Sequence, residues 1–380
     1  MSSPARAPAP FTCTFSREVP DVLRRLGATL AVTTYQAGKV ALIGAHPDDA
    51  DRIVQLTRTF RQPMGIAVEG AGATLRLAIA TRDEVVTLAN APRLAAGYPR
   101  KPNTYDALLV PRSRLHTGTI DLHDLAWGTH DGYTALWGVN TAFSALCVLD
   151  DAVSFRPVWT PPFVSAVVPE DRCHLNGMAL HNGTPAFVTA LGTTDTAEGW
   201  RTRKLDGGVL LDVASGEVVL SGLAMPHSPR LVTQPDGSVR LYTLASARGE
   251  VLAVDPAAGT ATVVAQLPGF VRGLAAHGGY LFVGLSRLRR NRTFGDLPLA
   301  QRDDVFAGLV VLHEATGAVV GHVRYETSVE EIYDVQVLPG VRRPGLLGVE
   351  DDTFRRALVT PTSAYWAAPD AAPATPDAGQ

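Results

Sequence analysis

Six short stretches of this chain fall on one register: Gln62-Pro-Met-Gly-Ile66, Asp121-Leu-His-Asp-Leu125, His174-Leu-Asn-Gly-Met178, His227-Ser-Pro-Arg-Leu231, Phe270-Val-Arg-Gly-Leu274 and Glu331-Ile-Tyr-Asp-Val335. The fifth position is apolar every time. The first and third positions hold His123, His174, His227, Asn176, Arg272, Asp121, Glu331 and Tyr333. A polar entry followed by an apolar anchor, repeated around a chain, predicts blades whose inner strands begin on a common axis. The apolar anchors are separated by 59, 53, 53, 43 and 61 residues, slightly above the roughly 40 to 50 of four-stranded propeller blades. The surplus belongs in loops, chiefly ahead of Asp121 and His174, on the face where the inner strands start.

Local patterns agree with that reading. Runs such as Leu30-Ala-Val-Thr-Thr-Tyr35 and Tyr280-Leu-Phe-Val-Gly284 are short, rich in β-formers and closely bounded by turn residues. A second repeat, Val209 to Val218, Val251 to Thr260 and Val310 to Val319, reads as strand, acidic turn opener, glycine, strand, the chemistry of a tight hairpin. Only Val19 to Leu26 has a helical stripe, with Val22, Leu23 and Leu26 on one face and Pro20 in the first turn. The predicted fold is all-β, a six-bladed β-propeller. Strand material after Val335 is short, so residues 28 to 58 are expected to complete the last blade and remove the open sheet edges. The expected organisation is a flexible N-terminus over residues 1–14, one propeller domain over 15–360 and a disordered tail over 361–380.

With 46% hydrophobic and 19% charged residues, a mean hydropathy of +0.08 and a formal net charge of -3, the chain reads as globular and offers no basic surface for nucleic acid. The arginines at Arg287, Arg289, Arg290 and Arg292 read as a solvated loop. Neither a signal-peptide pattern nor an apolar run long enough to cross a membrane stands out. Cys13, Cys147 and Cys173 are odd in number and widely spaced, which fits a reducing compartment and a cytoplasmic location without a membrane partner.

Across roughly residues 15 to 340 the chain resembles a bacterial family of conserved hypothetical proteins, a domain of unknown function of propeller-like character. The segments that carry the resemblance include Thr34-Tyr-Gln-Ala-Gly-Lys39, Arg61-Gln-Pro-Met-Gly65, His123-Asp-Leu-Ala-Trp127, Val139-Asn-Thr-Ala-Phe-Ser144, Glu170-Asp-Arg-Cys-His-Leu-Asn-Gly177, Met225-Pro-His-Ser-Pro-Arg230, Gly269-Phe-Val-Arg-Gly273 and Glu330-Glu-Ile-Tyr-Asp-Val335. The chain departs from the pattern at Ala107-Leu-Leu109 and at Ala245-Ser-Ala247. The resemblance implies a fold and a shared site but supplies no activity.

The chemistry must therefore come from residues. A propeller gathers the starts of its inner strands around one channel mouth. There His123, His174 and His227, with Glu331 or Asp121, would offer three imidazoles and a carboxylate, a donor set suited to a divalent transition metal, Zn, Fe(II) or Mn. An alternative needs no metal: Arg230, Arg272, Arg172 and Asn176 would hold a carboxylate or phosphate, alongside Asp121 and Tyr333, while a histidine moves a proton. The first expectation is an enzyme of hydrolase, lyase or isomerase type, with His123, His174, His227 and Glu331 as its catalytic groups. Its ligand would be a small anionic metabolite, an amino-acid-like molecule or a peptide end. The plainer account of Arg230 and Arg272 is inter-blade ion pairing with Asp124 or Asp334. A non-catalytic propeller that binds a protein partner or senses a ligand is the rival class. Cys173, beside His174, reads as a buried inert thiol. Asp195-Thr-Ala-Glu-Gly-Trp-Arg201 reads as an exposed loop able to grip a ligand.

Overall fold

The computed structural model describes residues 9–288 and 297–368. Six sheets follow one another around an axis, antiparallel except where Pro344–Leu346 adds in parallel to the outermost strand of the first, and each is named here as a blade from its inner strand outward. Blade I comprises Ile66–Glu69, Arg76–Ala80, Glu84–Asn90 and Ala107–His116. Blade II comprises Leu122–His130, Tyr133–Asn140, Ala145–Leu149 and Arg156–Trp159, and blade III Leu175–His181, Thr184–Ala190, Gly208–Asp212 and Val218–Leu223. Blade IV comprises Pro226–Thr233, Val239–Ala245, Glu250–Asp255 and Thr260–Gln266. In blade V the strands are Phe270–His277, Tyr280–Ser286, Gly308–His313 and Val319–Tyr325.

Blade VI closes the ring as expected. Its inner strand, Asp334–Pro339, comes from the C-terminal part of the chain and pairs with Ala28–Thr34, which continues into Lys39–Ala45 and Ile53–Thr59. The pairing of Thr33 with Asp334 and Ala28 with Pro339 joins residues some 300 positions apart. The helix Glu18–Leu26 buries Val19, Val22 and Leu23 against blades V and VI, and Gly27 ends it in the left-handed conformation.

Both ends of the chain are more structured than composition suggests. Cys13–Phe15 adds a fifth strand to blade V through Tyr325, Arg324 and Val323, so the flexible segment expected over 1–14 is too long at its inner end. Likewise, residues 361–368 are not tail: Ala364–Trp366 pairs with Ala357–Val359, Trp366 rests on Tyr98 at 5.8 Å, and its indole N–H donates to the Leu94 carbonyl. One large aromatic with a carbonyl to donate to outweighs the poor β pattern around it. Residues 369–380, and Arg289, Arg290 and Arg292, lie outside the described residues.

The inner-strand register has a second consequence in its fourth position, which reads Gly65, Asp124, Gly177, Arg230, Gly273, Asp334 around the ring. Glycine alternates with charge. A Cβ at Gly65 would stand 2.9 Å from the Asp124 Cα, and one at Gly273 would stand 2.7 Å from the Val335 nitrogen while φ there is +77°. The glycines let the next blade come close, and the charged residues of blades II, IV and VI meet in the channel. Arg230 Nη1 donates to Asp124 Oδ2 at 2.8 Å and to the Met178 and Pro229 carbonyls, Nη2 reaches Asp124 Oδ1 at 3.3 Å, and Nε donates to the Leu274 carbonyl. Asp334 Oδ1 lies 3.8 Å from Arg230 Nη2, and its carboxylate accepts from the Ile66 and Val335 N–H groups. This buried triad ties blades I to VI across the axis.

Candidate functional site

One layer above the triad, the first and third register positions converge as the sequence predicts. The His123 and His174 rings meet edge to face with centroids 4.8 Å apart, and His123 lies 5.5 Å from Tyr333. Tyr333 stacks on Tyr35 at 5.6 Å and carries the Arg272 guanidinium 3.4 Å above its ring. His227 lies near Arg272 and His174, and Asp121 lies near the same two residues. Residues drawn from blades II, III, IV, V and VI thus share one polar mouth.

Hydrogen bonding fixes the tautomer of each imidazole. The Thr141 hydroxyl donates to the Leu175 carbonyl, so it can only accept from His123 Nδ1, 2.8 Å away. His227 Nδ1 lies 2.9 Å from the Met225 carbonyl and must carry a proton; the Ser246 hydroxyl is equally close. His174 Nδ1 donates to Asp171 Oδ2 at 2.9 Å, and the same oxygen accepts from the Trp200 indole N–H at 3.0 Å. Nδ1 is thus the engaged nitrogen in all three rings, and Nε2 of each has no hydrogen-bond partner among the described residues. Burial, reinforced by the Arg272 charge, holds His123 and His227 well below the ordinary imidazole pKa, so both are neutral at pH 7.

Arg272 is the uncommon member. It is 8% exposed, yet its guanidinium donates no hydrogen bond among the described residues. Its nearest carboxylate, Glu331, stands at 3.6 Å. A buried guanidinium without acceptors is costly and is rarely retained unless something else supplies them. The Tyr333 hydroxyl, also buried, and the Asn176 amide nitrogen lack partners too among the described residues. Burial drives the Tyr333 pKa well above its ordinary value, so its hydroxyl is a donor. Asp121 and His174, immediately ahead of the inner strands of blades II and III, have φ of +56° and +52°, a left-handed conformation that non-glycine residues adopt at a cost.

Two expected ligand contacts are placed elsewhere. Arg230 is spent on Asp124, Asp334 and three backbone carbonyls, because the fourth register position points into the channel below the mouth. Arg172 bonds Glu170, Asp195 and Ser165 at the rim, which explains its neighbours but removes it from the cluster. Its partner loop is no free strap: Trp200 is 2% exposed and packs 4.4 Å from His174. Cys173 is buried and burial pushes its thiol up to about 12, in keeping with an inert role. Sequence reasoning missed Thr141 and Ser246, the groups that orient His123 and His227. Thr141 lies in a segment that carries the family resemblance and Ser246 in one where the chain departs from it, and nothing in a lone hydroxyl predicts which ring it will meet. Among the described residues no three His, Cys, Asp or Glu side chains stand together as one metal ligand set, and no step below is routed through a metal.

A family model described as "Domain of unknown function (DUF4915)" matches residues 17–347. No curated protein matches the chain. Among solved structures, one titled "Crystal structure of Nidogen/Laminin Complex" matches with a TM-score of 0.50 at 9% identity, covering 82% of this chain and 99% of the other. A protein of unknown function from Bacteroides caccae matches with a TM-score of 0.47 at 10% identity over 82% of this chain and 98% of that one. At such identity the first likeness speaks for the propeller fold alone. No helix among the described residues is long and apolar enough to cross a membrane.

Proposed function

The chain belongs to the family of that domain of unknown function, and on this footing we propose that its axial mouth binds a small carboxylate-bearing molecule and moves a proton on it. The carrying observation is Arg272, buried, flat on Tyr333 and without a hydrogen-bond acceptor among the described residues. Its fork of N–H groups matches a planar carboxylate, and the Tyr333 hydroxyl supplies another donor. His174 is the proton-transfer group. Asp171 and Trp200 hold its ring, and Nε2 is the basic atom that takes a proton from the bound molecule and returns it, the step common to isomerase, lyase and hydrolase chemistry. His123 and His227, kept neutral, are acceptors at the same site. Glu331, beside Arg272, tempers the guanidinium charge and is a positioning residue rather than a base.

Thermal shift with pyruvate, malonate and succinate tests the clamp. A ligand at a hundred times its Kd stabilises by about 2.7 kcal/mol, and Arg272→Gln is expected to erase the response. A variant that responds like the parent would overturn the assignment. A second reading rests on the tautomers, since imidazoles that donate Nδ1–H to carbonyl, hydroxyl or carboxylate groups carry the outer shell usual for metal ligands. It ranks below the first because the Arg272 field, which adds to burial in keeping His123 and His227 uncharged, also opposes a divalent cation. Stoichiometric metal in protein purified without an affinity tag, lost in His174→Ala, would reverse that order.

A further inference from the structure

The mouth holds two opposite charges that do not meet. The Asp121 carboxylate receives no hydrogen bond from any described residue. Its nearest nitrogen partner is His123 Nδ1 at 3.6 Å, whose proton is committed to Thr141. Asp121 lies near His123, His174 and Arg272, and 44% of its side chain remains accessible to a bound molecule. Arg272 lies near Asp121, yet no oxygen of Asp121 comes within 4 Å of it, and among the described residues its ion pair is with Glu331. Two complementary groups that are near each other without touching, each short of partners among the described residues, suit a molecule that carries both charges.

We infer that the ligand is a free α-amino acid bound as its zwitterion, its carboxylate on the Arg272 fork and its ammonium on Asp121. The inference rests on the Arg272 clamp proposed above and adds the second point of recognition. A simple monoanion leaves Asp121 unmatched, and a dianion brings negative charge against it. An amine without a carboxylate leaves Arg272 without acceptors and is repelled by it. Only the zwitterion satisfies both groups, with the Tyr333 hydroxyl as a further donor to the carboxylate and the imidazole Nε2 atoms as further acceptors for the ammonium. The left-handed backbone of Asp121 is consistent with this: the residue keeps a strained conformation although no described residue gives its carboxylate a hydrogen bond.

The experiment is a calorimetric titration of the full chain with the common L-amino acids, each run beside its N-acetyl derivative and its des-amino acid. At least one amino acid is expected to bind the parent protein about tenfold or more tightly than either of its two derivatives, a gap appropriate to one desolvated charge pair. Asp121→Asn should bring the free amino acid down to the level of the derivatives, while Arg272→Gln should lose all three. If N-acetyl and des-amino carboxylates bind the parent as well as the amino acid, the zwitterion is overturned and the carboxylate clamp stands. If no amino acid and no derivative binds, both readings fall. The comparison within the parent protein decides the matter even should Asp121→Asn fail to fold.

Discussion

Replacing Arg230 by methionine should expose how the channel is held together. The substitution keeps a long side chain but leaves Asp124 and Asp334 as buried carboxylates without their common cation, and strands the Leu274, Met178 and Pro229 carbonyls. Breaking a buried ion pair from one side typically costs about 3–5 kcal/mol. With an unfolding entropy of about 2.1 cal/mol/K per residue, a chain of 380 residues has roughly 0.8 kcal/mol/K in total, so Tm should fall by roughly 4–6 °C. The loss should depend on pH in a definite direction. Burial, with Asp124 adding to it, already raises Asp334 to about 6 against the pull of Arg230. A carboxyl raised on folding favours the folded state below its unfolded pKa and loses that advantage as pH rises through the folded value. Without Arg230 the folded pKa climbs further, so the deficit of the variant should be widest near pH 7.5 and should narrow toward pH 5. Paired thermal and urea melts at the two pH values read this directly. A deficit below about 1 kcal/mol at pH 7.5, well short of the cost of a broken buried pair, or one that does not change with pH, would refute a charged triad at the axis.

Other positions give sharper local tests. Gly273→Ala places a methyl group 2.7 Å from the Val335 nitrogen at a φ of +77° and should cost about 2 kcal/mol or more in urea unfolding, since both overpacking and strain act there. Nitrogen-15 NMR at pH 6 should find His123 and His227 as neutral Nδ1–H tautomers, because burial and Arg272 lower both pKa values. For these two rings the stability contribution is complete above the unfolded imidazole pKa and is lost as pH falls below it, so a His123→Gln/His227→Gln variant should have a shallower acid limb. Trp366→Ala removes the indole donor to Leu94 and the contact with Tyr98, and rapid proteolytic cleavage within 357–366 is expected while the propeller stays intact. Asp171→Asn should free the Trp200 indole and change its fluorescence, and should abolish any proton-transfer turnover while leaving carboxylate binding in place.

Much of the fold is legible in the sequence because a propeller is a repeat, and a repeat writes its register into the chain. The apolar fifth position is fully or nearly fully buried at Ile66, Leu125, Met178, Leu274 and Val335, and period-two strands with hairpin turns need only local chemistry to be recognised. Ring closure by residues 28 to 58 follows too, since the last inner strand lacks partners of its own. The convergence of His123, His174, His227, Arg272, Asp121 and Tyr333 was implied by the same register. What the register does not carry is depth and direction. Arg230 and Arg272 lie one register position apart, yet the first is consumed by a triad below the mouth, while the second pairs among the described residues only with Glu331 and lies flat on Tyr333. Which nitrogen of each imidazole is engaged was equally hidden, because it depends on Thr141, Ser246 and Asp171, which only the packed ring brings to Nδ1. Periodicity determines which residues can meet, whereas burial and hydrogen-bond partners, which are properties of the assembled ring, decide what charge each one holds when it arrives.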